Sequence, residues 1–534
     1  MGHDEITDRN IGRSSPDRVL EPGRNFDQHF DVVVVGYGFA GAVAAISAHD
    51  HGARVLLLEK MPDPGGISVC AGGGLRLSTD RAAAFEYLKA TNAGTTPDDV
   101  IAAFVDGMFE LETYVQELAQ INGATLIRQE RAGNYPFPGF ESMYFLEVDE
   151  VPGFDRVKGY PHARSLRNGT NMMKVLEDNV VSRDIEVRFS TSAERLISSG
   201  DGSVVGLWTD NDNEGTVSVS AKRGVILACG GFEANPDMQR QYWQLNPVMT
   251  AAFRGNTGDG VRMAQDVGAD LWHMWHFHGS YGFRHPDPSF PFGIRTKRLP
   301  DWVPGHSETD APMSWILVDG EGRRFMNEYQ PYFQDTGHRA LDVMNPDTQT
   351  YPYIPCYLIV DDPGRAMYPL GGVVFNDRDV EPYEWSADNL KEVELGILQK
   401  ADTIDELARL IGCAPDRLKD NIDRWNAACA VGGDDDFQRP ARSMTPIATS
   451  PYFVGEIWPV VSNTQGGPVH DARQRVLNSY GEPIQGLYEA GEVGSIWGHL
   501  YLSGANLSEC FIGGRIAGKE VAESESSREF LASA

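Results

Sequence analysis

The 534-residue chain is short of positive charge: 46 lysines and arginines face 76 acids, for a formal net charge of −30. Such a surface repels phosphate backbones and anionic headgroups, so no nucleic-acid partner is expected. Cysteine is sparse. The six (Cys70, Cys229, Cys356, Cys413, Cys429, Cys510) are scattered without a C-x-x-C or C-x-x-C-H pair. That spacing excludes the usual zinc, iron–sulfur and attached-haem motifs and fits a reduced, cytoplasmic protein. Long apolar runs are missing too. The longest uncharged run, Val32 to Ala48, is shorter than the ~20 residues of a membrane span and contains three glycines. The first 26 residues mix charges around no apolar segment and read as neither a secretory leader nor an organised element. The length exceeds the ~250–300 residues at which one core stops growing, so two domains are expected.

What the chain has in quantity is glycine, 57 residues of it. In "DVVVVGYGFAG" a β-branched run meets G-x-G-x-x-G at Gly36, Gly38 and Gly41, followed by alanines at helical spacing. The first glycine permits a tight turn, the second admits a pyrophosphate, and the third lets helix and strand touch. A second strand, "RVLLLEK", ends in Glu59, eighteen residues after Gly41, where an acid can bind ribose hydroxyls. The alternative is a glycine turn in some other α/β unit. Two more small-residue seams, "KMPDPGGISVCAGGGLRL" and "KRGVILACGGF", exceed what a nicotinamide enzyme needs and point to a larger cofactor, FAD. A late stretch, "GEVGSIWGHLYLSGANLSECFIGGRIAG" at 491–518, would close the site from the other side.

Four stretches make the chain resemble the flavoprotein family of fumarate reductase, succinate dehydrogenase flavoprotein subunits and the 3-ketosteroid dehydrogenases: "VVVVGYGFAG…LLLEK", "PGGISVCAGGG", "GVILACGGFEAN" and "GLYEAGEVGS…GRIAG". The resemblance implies an α/β fold with an α+β cap. A Rossmann-like FAD-binding domain would occupy residues 28–272 and 451–525, with an inserted smaller catalytic or cap domain over 273–450, a flexible arm over 1–27 and a tail over 526–534. It implies FAD on Gly36, Gly38, Phe39, Ala40, Gly41, Glu59, Lys60, Gly66, Ser68, Gly72, Gly73, Ala228, Gly230, Asp259, Glu492, Asn506 and Leu507. Glu59 would hold the adenosine ribose, Ser68 and Gly73 would lie near the flavin, and Glu492, Asn506 and Leu507 would close over the ribityl chain and ring. Ile67 stands where some relatives carry a flavin-bonded histidine, so the FAD is expected to be non-covalent.

The segment "LWHMWHFHGSYGFRHPDPSFPFGI" is dense in aromatics; its histidines His273, His276 and His278 read as packing and pocket lining, with a metal site as the lesser reading. "TIDELARLIGCAPDRLKDNIDRWNAAC" shows helical periodicity. Against the family's dicarboxylate clamp of two arginines and a histidine, this chain has Tyr332, Leu502 and Asn463, which predicts a pocket poor in cations and suited to an apolar ligand. The resemblance then puts the ketosteroid dehydrogenases' catalytic tyrosines at Tyr332 and Tyr501. The Y-x-S-G pattern of Tyr501, Ser503 and Gly504 looks more like the Δ4-(5α) branch than the Δ1 branch. A third tyrosine would be Tyr135 or Tyr144. The expected function is desaturation next to the ketone of a 3-ketosteroid or similar apolar cyclic ketone. Tyr501 would donate to the ketone oxygen with help from the Gly504 or Ala505 backbone and Tyr332 would take the α-proton, relayed by Ser503, or the two tyrosines would exchange roles; the alternative is that both are pocket wall and another group is the base. The electron acceptor is unknown from sequence. Open alternatives are the same site run as an enone reductase, Δ1 chemistry, dicarboxylate reduction, and a non-catalytic subunit of an electron-transfer assembly.

Overall fold

The computed structural model describes residues 25–524 and Arg18, without the side chains of Gln334 and Asp335. Most of the expected arm over 1–27, and all of the tail over 526–534, lie outside the described residues. Phe26 packs with Ile197 and Trp208, and Asp27 accepts hydrogen bonds from the Ser218 backbone and hydroxyl. The described fold is thus tied down from Phe26 onward.

The run of valines that opens the chain's glycine motif forms β1 (Gln28–Val35), with Val32 to Val35 all buried. Such continuous apolarity is what a parallel strand covered on both faces requires. β1 pairs in parallel with β2 (Val55–Leu58) and with the long β5 (Gly215–Leu227), and β5 in turn with β8 (Pro483–Glu489). The sheet order is Arg475–Leu477, β8, β5, β1, β2, Glu186–Arg188. β3 (Leu75–Ser78) and β4 (Met143–Glu150) belong to a separate three-stranded sheet beside it.

The late glycines have a packing role. α4 (Ala505–Glu523) lies along α1 (Phe39–Asp50), and a Cβ added at Gly514 or Gly518 would sit 2.8 Å from Ala40 O or 2.5 Å from Ala44 O. "GRIAG" is therefore a small-residue seam that lets two buried helices touch backbone to backbone.

A second, mainly antiparallel sheet runs Ile316–Val318, Cys356–Asp361, β7 (Tyr452–Thr464), β6 (Phe277–Arg284), Gly293–Thr296, Gly371–Gly372. It has its own core, including Phe283, Trp315, Leu358 and Ile457. β7 lies beyond residue 450 in sequence yet pairs with both β6 and Cys356–Asp361, so this sheet reaches to Thr464. The periodic stretch after Thr403 forms two helices, α2 (Ile404–Ile411) and α3 (Pro415–Val431), separated because Gly412 turns left-handed (φ +86°) and Pro415 starts afresh.

Four buried charges pin the segment leading to Tyr332. Arg324 holds Glu328 with two bonds (2.9 and 2.8 Å) and also meets Asp434, while Arg439 reaches Glu328 at 3.3 Å. Burial alone would raise the Glu328 carboxyl, but Arg324 and then Arg439 hold it below its ordinary value. No helix among the described residues is long and apolar enough to cross a membrane.

Candidate active site

A cavity of about 790 Å³ opens at the C-terminal ends of β1, β2, β5 and β8, bordered by Val35, Leu58, Ala228 and Ala490, and extends to β6 and β7 through His278 and Asn463. Crevices at the carboxyl ends of parallel strands are the general ligand position of such sheets. Every predicted cofactor residue lines this cavity except Gly41. A Cβ at Gly41 would lie 1.8 Å from Gly36 O, so this glycine serves the strand-to-helix turn and does not face the ligand.

At one end Glu59 accepts the backbone N–H groups of Tyr37 (2.9 Å) and Met61 (2.8 Å), and burial pushes its carboxyl above the ordinary range. Lys60 donates to Asp259 (2.6 Å) and Thr257 (2.7 Å) across the same opening. The N-terminus of α1, at Gly38 and Phe39, faces the cavity without a side-chain cap, as a pyrophosphate site needs. At Gly72 an added Cβ would meet no protein atom, which leaves open space against bare backbone. These features fit FAD: donors for phosphate, a buried carboxylate for ribose, and a glycine-lined wall for a flat ring.

Glu492 lines the cavity and accepts from Thr464 N–H (2.9 Å) and Asn256 (3.2 Å); Asn256 also donates to Glu233 (2.7 Å). Burial raises both carboxyls, and the neighbouring Glu492 raises Glu233 further.

At the far end Tyr501, Ser503 and Gly504 lie on the wall. The Gly504 N–H donates to the Tyr501 hydroxyl oxygen at 3.1 Å, a bond within the loop itself. Gly504 has φ +79°, and a Cβ there would strike Phe145 at 2.4 Å and Gly74 O at 2.6 Å, so only glycine can close this turn. His278 stacks on Tyr501 with ring centroids 3.9 Å apart. Asn463 spends its Nδ2 on Thr464 O, so its Oδ1 accepts from His278 Nδ1–H at 2.7 Å.

The structure does not bring all of the expected residues to the cavity. Tyr332 does not line the cavity: it is fully buried, left-handed in backbone (φ +55°), and packs edge-on against Tyr135 at 5.5 Å. Tyr135 thus shares a cluster with Tyr332, whereas the Tyr144 hydroxyl donates to Glu112 and belongs to the packing of β4. Leu502 is core. The three histidines do not converge, and no group that could hold a metal occurs among the described residues. The imidazole of His273 meets the Ser495 and Thr95 carbonyls, and His276 Nδ1–H donates to Trp497 O, leaving His278 alone at the cavity. The cavity is also more cationic than expected, because Arg131, Arg167, Arg295 and Arg298 contribute to its wall, with Arg131 paired to Asp301. The sequence reading missed Arg76, buried behind the Tyr501 loop; an arginine inside the apolar run "GLRLS" is the one local signal of it.

The family model described as the FAD binding domain matches residues 31–507, and the chain belongs to that family. Fumarate reductase (cytochrome) of Shewanella frigidimarina is 28% identical over 528 residues, covering 97% of this chain and 82% of that protein. The 3-oxosteroid 1-dehydrogenase of Mycolicibacterium smegmatis is 28% identical over 561 residues, covering 89% and 94%. The same fold is seen in the 3-ketosteroid Δ1-dehydrogenase of Sterolibacterium denitrificans, at a TM-score of 0.75 and 24% identity over 93% of this chain and 100% of that one. The chain is accordingly an FAD-dependent oxidoreductase of the fumarate reductase and ketosteroid dehydrogenase type.

Proposed function

We propose that the protein desaturates the carbon–carbon bond α,β to the ketone of a 3-ketosteroid or similar apolar cyclic ketone. The observation that carries this reading is the constellation at the far end of the cavity: a wall tyrosine, Tyr501, whose oxygen receives the Gly504 N–H and whose ring lies on His278. An N–H given to a phenol oxygen makes its O–H a stronger donor. Tyr501 then donates to the ketone oxygen as negative charge develops there, an effect of ~2.7–4 kcal/mol for one such donor in a dry site. His278 is the base in this reading, because Nδ1–H committed to Asn463 leaves Nε2 as the ring's accepting nitrogen. Tyr332, held behind the wall, acts through its neighbours and not on the ligand. Ile67, Phe145, Leu166, Leu299 and Val374 supply apolar surface for a ring system. When bound, FAD supplies the acceptor for the two electrons that leave with the β-hydrogen.

The Y-x-S-G pattern supports the Δ4-(5α) position, while the two ketosteroid dehydrogenases named above are Δ1 enzymes; product identification separates the two. FAD is held without a covalent bond in this reading, since Ile67 offers no nucleophile, and acid precipitation should release all flavin into the supernatant. The decisive test mixes oxidised enzyme anaerobically with saturated and Δ4 3-ketosteroids and follows flavin absorbance. Absence of bleaching with every ketone sinks the proposal.

A second reading, dicarboxylate reduction, is favoured by the wall arginines Arg131, Arg295 and Arg298. Reoxidation of the reduced flavin by fumarate at rates above those with ketones would establish it.

A further inference from the structure

We infer that Arg76 is a positioning residue: it holds the 501–504 loop from behind and sets a buried positive charge beside Tyr501. The inference rests on the ketone-desaturating reading for its catalytic meaning, though its first test does not.

Arg76 lies on β3 with no exposed surface. Its Nε donates to Ser503 O (2.9 Å), and its Nη1 donates to Arg131 O (2.7 Å) and Ala132 O (3.2 Å). The guanidinium lies 3.7 Å from the centroid of the Phe145 ring, and its own carbonyl accepts from Ser508 on α4. Among the described residues no carboxylate bonds to it, and Nη2 has no hydrogen-bond partner. A buried guanidinium is costly to bury without a counter-charge. The groups that face it are phenols. Tyr332, Tyr87 and Tyr501 are the tyrosines near enough to interact with it electrostatically, from three different segments, and Arg131 is the cation that opposes it. Burial lowers the guanidinium to about 10, so it is charged at neutral pH.

The geometry separates the three phenols by role. Tyr87 accepts the Tyr135 N–H and belongs to the scaffold. Tyr501 is tied to Arg76 through two short links: Gly504 N–H to Tyr501 oxygen, and Arg76 to the carbonyl of Ser503, one residue earlier. Tyr332 carries a left-handed backbone, an arrangement an aromatic residue adopts only where the surroundings impose it. The other titratable or charged groups on the elements packed around the pair are His278 against Tyr501, Tyr135 against Tyr332, Arg339 near Tyr135, and Asp301 paired with Arg131. An opposite charge within ~4–6 Å lowers a group's pKa by ~1–3 units, whereas burial raises that of a phenol, and Tyr87 beside the same guanidinium is pushed up to about 12. In the catalytic reading the result is a Tyr501 hydroxyl matched to the enolate it serves.

The test labels the ring Cζ of tyrosine isotopically in the FAD-loaded enzyme and assigns the two resonances with Tyr332→Phe and Tyr501→Phe. The Tyr501 midpoint should move up by one pH unit or more in Arg76→Met and stay near the wild-type midpoint in Arg76→Lys. Where Arg76→Met fails to fold, Arg76→Gln, which removes the charge and keeps a donor for Ser503 O, takes its place, and an unmoved Tyr501 midpoint there overturns the inference. Equal midpoints in wild type and Arg76→Met overturn it as well. If the resonances shift as expected but no ketone bleaches the flavin, the charge role stands and the substrate reading falls. If ketones are turned over, the alkaline limb of kcat should move upward with Arg76→Met and not with Arg76→Lys.

Discussion

Removing the Tyr501 hydroxyl isolates the contact on which the proposed chemistry depends. Tyr501→Phe keeps the ring on His278 and should lower kcat by roughly 10²–10³ with little change in ligand affinity; unchanged kcat with flavin bound would show that the tyrosine is only wall. His278→Gln should lower kcat by ~10²–10⁴, the range for one general base. Tyr332→Phe should cost less and alter mainly the pH profile, because the ring has no place on the cavity wall. Stopped-flow flavin reduction across pH distinguishes the two, and a larger loss in Tyr332→Phe would restore it as the base. Glu59 carries two tasks. Its carboxylate holds the Tyr37 and Met61 N–H groups as well as facing the cofactor end, so Glu59→Ala should weaken FAD binding ~10-fold or more and also lower protein stability by about 1–3 kcal/mol, the cost of orphaned buried donors. Full flavin occupancy with unchanged melting would contradict both roles.

The element scale shows what local pattern encodes. The nucleotide end was legible because its signal is contiguous: a valine run, three glycines and an acid at the end of the next strand become β1, the α1 N-terminus and Glu59. The far end was legible only in part. Arg76, His278, Asn463 and Tyr501 come from β3, β6, β7 and the loop before α4, and no local periodicity records which side chain of a strand meets another hundreds of residues away. Tyr332 lies off the cavity wall for a related reason, since its segment is pinned by the buried Arg324–Glu328–Arg439 cluster. The glycines of α4 carry a testable packing claim. Gly518→Ala forces a Cβ to within 2.5 Å of Ala44 O and should cost about 1–3 kcal/mol while loosening FAD, because α1 must shift. Gly433→Ala, where the new Cβ meets nothing, should be neutral or slightly stabilising. Equal melting temperatures for the two variants would remove the helix–helix seam as an explanation of the late glycines.

At the scale of the whole molecule, the late stretch also anchors a buried network whose proton content sets how stability depends on pH. Glu509 on α4 is buried, accepts Ile496 N–H at 2.7 Å, and lies 2.9 Å from Ser495 Oγ, which is itself 2.8 Å from Gln465 Oε1. The Ser495 hydroxyl faces both acceptors, and Asn506 Nδ2 also donates to Glu509 at 3.0 Å and to Gln465 Oε1 at 3.1 Å. Burial raises this carboxyl to about 8, far above its unfolded value of ~4.3. The folded state therefore binds a proton that the unfolded state releases, and the stabilisation is fully present below the unfolded value and is lost as pH rises through about 8. His470 has the opposite sense: burial lowers it to about 4, so its contribution grows as pH rises toward its ordinary value and is complete by then. Between pH ~6.5 and ~8 the acid term is left to act, and Glu509 alone should remove about 1.5 kcal/mol at 1.36 kcal/mol per unit of pH. Urea midpoints of the FAD-saturated protein should fall across that window, and Glu509→Gln, which has no titrating proton, should flatten the slope. A slope as steep in Glu509→Gln as in the wild type would place the proton elsewhere, with the Glu233 and Glu492 pair the next carboxyls to replace.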